Sequence, residues 1–370
     1  MPAAASRARI AIAPFSAQYV SAVERFNARI AAALGPTELQ VPLHPPPEDE
    51  ERFLAVENDE VRGGYILRSQ DFSIAGETRR VAHYRLPISE AIADRAYAGV
   101  GLQLLRSALR TQPLLFALGM GGVDQPLPKM LRATGWPMFA VPFYFKVNRP
   151  CRFLRGARAL RSSAVRRAAL DAAAFSGAGA LGIRALQWYA RRTCNAAALY
   201  PSELFRGFAG WADDLWRQCA RRYTLAGVRD RSALNRLYPA GDKRFLCLRV
   251  FDGGRILGWA VLLDTAMRGH KQFGDLRVGS IADCLALPED AAAVIAAATR
   301  RLEERGVDLI VSNQAHQAWT AALHSAGFLR GPSNFVFAAS PELARLLHPF
   351  DDNAAGFHVN RGDGDGPIHL

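Results

Sequence analysis

Ala96-Tyr97-Ala98-Gly99-Val100-Gly101-Leu102-Gln103-Leu104-Leu105 is the stretch on which the reading of this chain turns. It opens an apolar helix with two glycines. It follows a strand-like run, Arg80-Val81-Ala82-His83-Tyr84-Arg85-Leu86-Pro87-Ile88. A strand, a glycine loop and a helix start can form an anion cradle, because the amides of the first helical turn point at a ligand. Glycine lets that backbone approach a phosphate closely, and the helix dipole favours negative charge at the same end. Ala98, Gly99, Val100, Gly101 and Leu102 are therefore the candidate anion-binding residues. The same glycines also suit a plain turn in a chain that has 31 of them.

Working outward, Gln112-Pro113-Leu114-Leu115-Phe116-Ala117-Leu118-Gly119 reads as a short buried strand. Pro128-Lys129-Met130-Leu131-Arg132-Ala133-Thr134-Gly135-Trp136 reads as a short helix that ends on a glycine cap, and Met138 to Val147 reads as one strand. This order resembles the GNAT acyltransferase superfamily. In that family a strand leads into a Gln/Arg-x-x-Gly-x-Gly/Ala loop around the pyrophosphate of acyl-coenzyme A. A strand, a helix ending in a Gly-Phe-like pair and a last strand follow. Gly99 and Gly101 stand at the two small positions, Ala96 at the Gln/Arg position and Arg95 one residue before it. The resemblance implies acetyl-coenzyme A, or another acyl-coenzyme A, as co-substrate at Ala98 to Leu102.

The third part of the chain, from about Asp242, repeats this grammar without repeating the sequence. Phe245 to Phe251 and Ile256 to Leu263 read as strands joined by the Asp252-Gly253-Gly254 hairpin turn. Val278 to Leu287 is a further strand, Glu289 to Arg305 an amphipathic helix and Asp308 to Ser312 a strand. Ala318 to Ala326 is a helix capped by Gly327-Phe328, and Asn334 to Phe337 is the closing strand. The loop before the main helix, Ala286-Leu287-Pro288-Glu289-Asp290, has no glycine, and its two acids would repel a pyrophosphate. The expected fold class is thus α/β (α+β): two tandem GNAT-like mixed-sheet units, of which the first keeps the cradle. The boundaries expected are 1–148, a helical connector at 149–241, a degenerate unit at 242–350 and a Gly/Asp-rich surface tail at 351–370.

Composition limits the alternatives. With 370 residues and 50% hydrophobic content the chain can bury two cores. Residues 149–236 hold 17 arginines, no lysine and five acids, so this stretch carries the whole formal charge of +12. Arg152, Arg155, Arg158 and Arg161 recur every third residue, which predicts one side of a helix. Such a stretch could meet an anionic membrane surface, and a nucleic-acid partner is not expected. Arg229-Asp230-x-x-x-Leu234-x-x-x-Tyr238 resembles a pattern of double-domain FemAB-like acyltransferases, with Leu234 and Tyr238 also readable as core. That resemblance implies a sugar or an envelope-polysaccharide precursor as acceptor. The five scattered cysteines form no Cys-x-x-Cys pair, so reduced thiols, no metal site and a cytoplasmic location are expected. Neither a secretory leader at Met1 to Ala13 nor a membrane span at Ala172 to Ile183 is expected. The oligomeric state stays open.

Acyl transfer to an amine or hydroxyl needs a proton acceptor near the nucleophile. Glu90 and His83 are the catalytic candidates, with Glu57 in the earlier turn. Glu90 could equally cap a helix, and His83 could be a core histidine. Many family members carry a thiolate-protonating tyrosine four positions before the Gly of the Gly-Phe-like pair. That position is Leu131 in the first unit and Leu323 in the second, leaving Tyr84, Tyr97, Tyr144 or solvent as substitutes. A non-catalytic acyl-coenzyme A binder and an anionic-surface binder are the other function classes.

Overall fold

A computed structural model describes residues 10–35, 39–192 and 200–364. Residues 1–9, Cys194, and Asp365 and Gly366 of the tail lie outside the described residues. The chain opens with β1 (Ala11–Pro14), α1 (Val20–Leu34), β2 (Glu50–Glu57), β3 (Glu60–Ile74) and β4 (Glu77–Ser89). It continues with α2 (Val100–Thr111), β5 (Leu115–Gly119), α3 (Pro126–Ala133) and β6 (Met138–Ala140). The middle holds β7 (Phe143–Val147), α4 (Pro150–Gly156), α5 (Ala164–Phe175), α6 (Ala178–Arg192), β8 (Ser202–Phe205), α7 (Gly210–Cys219), β9 (Leu225–Gly227) and α8 (Arg231–Leu237). Then come β10 (Leu246–Asp252), β11 (Arg255–Ala266), β12 (Arg277–Ala286), α9 (Ala291–Glu304), β13 (Leu309–Asn313), α10 (Gln317–Ser325) and β14 (Leu329–Gly331). The chain closes with β15 (Val336–Ala339), α11 (Pro341–Leu346), α12 (Phe350–Asn353) and β16 (Phe357–His358).

Two compact units form, and neither is continuous in sequence. The first falls within 1–71, 79–139 and 336–348, the second within 72–78, 140–335 and 349–370. The first unit's sheet runs β1-β2-β3-β4-β5-β15-β6, and the second's runs β14-β7-β13-β12-β11-β10-β8. The two mixed sheets match the expected fold class, but their last strands are exchanged. β15, expected to close the second unit, instead pairs antiparallel with β5, Val336 opposite Gly119 and Ala339 opposite Phe116. β7 pairs antiparallel with β13, Val147 opposite Leu309 and Phe143 opposite Asn313. The single strand expected from Met138 to Val147 is broken at Val141-Pro142, because proline cannot donate to a ladder. The break lets β6 stay in one sheet while β7 enters the other. The β3–β4 tip also belongs to the second unit, where Phe72 to Ile74 pair with β9.

Local chemistry explains why corresponding elements form in both units. α3 ends at Gly135 (φ +84) and α10 is followed by Gly327 (φ +84), each in the left-handed conformation that glycine accepts. In both, the next amide reaches back to close the helix: Trp136 N–H to Leu131 O (3.1 Å) and Phe328 N–H to Leu323 O (3.0 Å). This is a Schellman cap, and it drives the aromatic ring after the glycine into the core. Leu131 and Leu323 are themselves fully buried, so the missing tyrosine has been replaced by core. α2 lies on β3 because Gly63 has no Cβ. An added one would meet Ile88 O at 2.6 Å and Val100 Cγ1 at 3.1 Å.

The arginine-rich stretch departs from its expected helix. α4 stops at Gly156 and Ala157 is extended (φ −70, ψ 95), so Arg152 to Arg161 do not share one helical side. Gly156 carries no side chain because a Cβ would fall 2.6 Å from Leu276 Cδ2. Several of these arginines are neutralised: Arg152 reaches Asp308 at 3.4 Å and Arg161 reaches Asp171 at 2.7 Å. Among the described residues no helix is long and apolar enough to cross a membrane.

Candidate functional site

The first unit's central parallel pair is short. β4 and β5 align only at Ala82 opposite Leu115 and His83 opposite Phe116. Beyond this point β4 runs on through Tyr84 to Ser89, and its backbone turns sharply: Leu86 has φ +43 and is followed by Pro87. A left-handed conformation costs an L-residue roughly 1–2 kcal/mol, so it persists only where surrounding packing holds it. Pro87 adds a position without an N–H donor. The parallel ladder between the two strands ends at His83 and Phe116, ahead of this bend.

His83 sits at the point of separation. Its ring stacks on Phe116 with centroids 4.6 Å apart and planes within 9°. The Leu118 amide donates to His83 Nε2 at 3.2 Å, so a side chain ties β5 to β4 where the ladder has ended. The Nε2 lone pair is thus engaged by a backbone donor. Immediately beyond, β5 leaves through Gly119, Met120, Gly121 and Gly122, all at positive φ (97, 56, 73 and 117). Only a glycine-rich sequence accepts such a run.

Ala98 to Leu102 open α2. Gly99 is the N-cap (φ −77, ψ −15), and Val100 is buried at the first helical position. The two glycines differ. A Cβ on Gly99 would meet nothing within 4 Å, whereas one on Gly101 would touch Met130 Sδ of α3 at 3.6 Å. Space for a ligand against the backbone exists at Gly99, and Gly101 serves the approach of two helices as well.

Glu57, Glu90 and Tyr97 are brought together through arginines. Buried Glu90 accepts from Arg29 Nε at 2.6 Å and Arg62 Nη1 at 3.2 Å. Glu57 accepts from Arg62 Nε at 3.1 Å and from the Tyr97 hydroxyl at 3.0 Å. The Arg62 guanidinium lies 4.7 Å from the Tyr97 ring centroid. Partial burial and the Glu57 carboxylate both push the Tyr97 phenol up, which keeps it a proton donor. Tyr84 is buried in the core under α2, and burial strongly suppresses its ionisation. Tyr144 belongs to the second unit, edge-on to His324 at 5.0 Å.

The corresponding place in the second unit is filled. β12 and β13 pair in parallel from Val278 opposite Leu309 to Ile281 opposite Ser312, and a bulge at Ala282 then shifts the β11 register. Residues 359–363 bridge the diverging strands. Gln314 pairs with Asn360, and Ala315 N–H donates to Val359 O at 3.0 Å. Asn360 Nδ2 donates to Asp283 Oδ1 at 2.9 Å, and Arg361 Nε to Asn313 Oδ1 at 3.0 Å. Buried Arg229 joins Asp283 (2.8 Å) to Asp363 (2.6 Å), and the Tyr238 hydroxyl donates to Asp283 at 2.6 Å. Part of the tail expected on the surface is therefore interior: among its described residues Asn360, Gly362 and Asp363 are buried. The acids before α9 are paired, Glu289 with Arg222 (3.0 Å) and Asp290 with Arg255 (3.1 Å).

Sequence reasoning missed the Leu86 bend, the Gly119 to Gly122 turn and the tail plug. Pro87 within a strand and three glycines in four residues were the available signals for the first two. Arg229 and Tyr238 stand out in the sequence as a pattern, but Asp283 lies 54 and Asp363 134 positions from Arg229, and nothing local links them.

No family model and no curated protein matches the chain. Solved structures do. A conserved protein of unknown function from Enterococcus faecalis V583, described as a probable N-acyltransferase, is similar with a TM-score of 0.53 at 9% identity. The match covers 92% of this chain and 74% of that one. A GCN5-related N-acetyltransferase from Anabaena variabilis gives 0.51 at 11% identity, covering 89% and 72%. Saccharomyces cerevisiae N-myristoyltransferase, solved with myristoyl-CoA and inhibitors, gives 0.50 at 10%, covering 92% and 80%. This chain therefore has the GNAT fold, as two tandem units.

Proposed function

We propose that the chain is an acyl-coenzyme A-dependent N- or O-acyltransferase that works at the separated β4–β5 pair of the first unit. The observation that carries this reading is the bend at Leu86-Pro87 between the His83–Phe116 pairing and the small-residue start of α2. His83 to Ser89 carry β4 from the end of its pairing with β5, through the Leu86 bend, toward the segment that leads to α2. A pyrophosphate at Ala98 to Leu102 would leave the thioester beside His83 and Phe116.

In this reading His83 is a positioning residue. It holds the Leu118 backbone against the end of the ladder and cannot take a proton at Nε2 while Leu118 donates there. Glu90, clamped between Arg29 and Arg62, fixes the loop that leads to α2. The acceptor proton leaves through water, and the departing thiolate is protonated from solvent. The named neighbours act on nitrogen according to their descriptions, which favours an amine. A sugar of an envelope precursor is the acceptor class that the FemAB-like resemblance adds.

The test is calorimetric titration of acetyl- and myristoyl-coenzyme A into the full chain and into Gly99→Glu. A carboxylate there adds charge beside the pyrophosphate, and the open space at Gly99 and the helix start both tolerate it. Micromolar binding by the wild type and a loss of about tenfold or more in the variant are expected. Absence of binding for both thioesters would end this reading. Binding without turnover on amine and sugar acceptors would reduce the protein to a carrier of acyl-coenzyme A.

A further inference from the structure

We propose that the α5–α6 hairpin is a docking surface for an anionic lipid membrane. The inference rests on exposure and charge in the second unit, and it holds whether or not the first unit transfers acyl groups.

Gly179, Ile183 and Gln187 hold one face of α6. Gln187 Oε1 accepts the Val147 amide at 2.8 Å, Ile183 packs against the core beside Val147, and Gly179 lies close enough to Leu154 that a Cβ would fall 2.5 Å from it. These positions recur every four residues and mark the inner side. A helix of a globular protein places polar residues on the opposite side. α6 instead places Leu181, Trp188 and Tyr189 there, and Leu181 and Tyr189 are 70% and 68% exposed. Phe175, at the turn between the helices, is 87% exposed. Large apolar side chains this open to water mark an interaction surface when they cluster.

Charge identifies the partner. The hairpin, residues 164–192, contains five arginines and one acid, Asp171, which is bound by Arg161. Arg166, Arg167 and Arg184 are exposed beside the apolar residues. A helix with Trp, Tyr, Phe and Leu next to arginine has the composition of one lying in a bilayer interface, with rings at the headgroup level and guanidinium groups on lipid phosphates. A second copy of so basic a surface would be repelled, and a nucleic acid would leave the apolar side chains in water.

The experiment is co-sedimentation of the full chain with phosphatidylcholine vesicles, with and without about one-third phosphatidylglycerol. Two variants accompany it: Phe175→Ser with Leu181→Ser and Tyr189→Ser, and Arg166→Glu with Arg184→Glu. All five positions are exposed, so both should fold, which circular dichroism checks. The wild type should bind anionic vesicles at least about tenfold better than neutral ones. The serine variant should lose about tenfold or more, and the glutamate variant should lose the preference for anionic lipid. Absence of vesicle binding by the wild type overturns the proposal. So does a serine variant that binds like the wild type, or a wild type that is a dimer which the serine variant dissolves. Retention on RNA unchanged in the serine variant, with no vesicle binding, assigns the surface to nucleic acid instead.

Discussion

The two units carry the same central device in opposite states. In each, a parallel strand pair separates, and the inner strand of the pair is deformed just past the split, at Leu86 in one and at Ala282 in the other. In the first unit the deformation leads to a helix start with Gly99 and open space beside it. In the second, a charged segment of the same chain occupies the split, and paired acids stand at the helix start. The difference teaches that a GNAT-type split is a gap in a ladder that something must fill. Backbone polar groups along a separated strand need partners. A ligand's amides can supply them from outside, or Asn360 and Arg361 can supply them from within. A chain with two such folds can specialise by giving one split its own tail.

The largest test of this contrast is to break the plug. Asp283→Ala removes an acceptor from Arg229, Tyr238 and Asn360 together and leaves a buried guanidinium with one carboxylate. A loss of about 3–5 kcal/mol is expected in urea denaturation of the full chain. Glu90→Gln, in the charged cluster of the first unit, should cost only about 1.5–3 kcal/mol, because Arg29 keeps contact with water. Equal losses would show that the two clusters are equivalent. Titration should give one acyl-coenzyme A per chain, and two would mean that the tail yields to a ligand.

Acid should act on the second unit by a separate route. Burial lowers the imidazoles of His316 and His358 to about 4, from 6.5 when unfolded. Their folded values lie below their unfolded ones, so the unfolded chain binds these protons more readily. Stability is intact above pH 6.5 and falls as pH drops toward 4, by about 3 kcal/mol for each histidine. His358→Phe keeps the aromatic packing against Tyr223 and should remove roughly half of this dependence. A denaturation series between pH 7.5 and 4 measures it, and an unchanged slope in the variant would refute the assignment.

What the sequence disclosed was local. Gly135-Trp136 and Gly327-Phe328 could be read because a helix cap is decided within six residues, and both were seen to cap as expected. The Asp252-Gly253-Gly254 turn was legible for the same reason. The exchange of β7 and β15 was not, since an apolar run specifies a strand but not its neighbour. Arg361, Asp363 and their glycines look like a solvated turn until Arg229 and Asp283 are placed beside them. Of the candidate site, the helix start was legible from Gly99 and Gly101. The role of His83 was not, because it depends on a Leu118 amide 35 positions away.

The smallest effect addresses the turn that follows β5. Gly121 has φ +73, and an added Cβ would meet only Gln125 Cγ at 3.6 Å, an ordinary contact. Gly121→Ala therefore adds no clash, and its whole cost is conformational, about 1 kcal/mol. The second unit offers a control without that strain. Gly254, beside its β10–β11 hairpin, has no positive φ and nothing within 4 Å of a Cβ, so Gly254→Ala should be neutral or slightly stabilising. Thermal unfolding separates the two. If the Gly119 to Gly122 turn shapes the mouth of the split, Gly121→Ala should also weaken acyl-coenzyme A binding by more than its small stability cost suggests. Equal binding in both variants would confine the turn to connecting β5 with α3 and leave the Leu86 bend as the only backbone feature that defines the site.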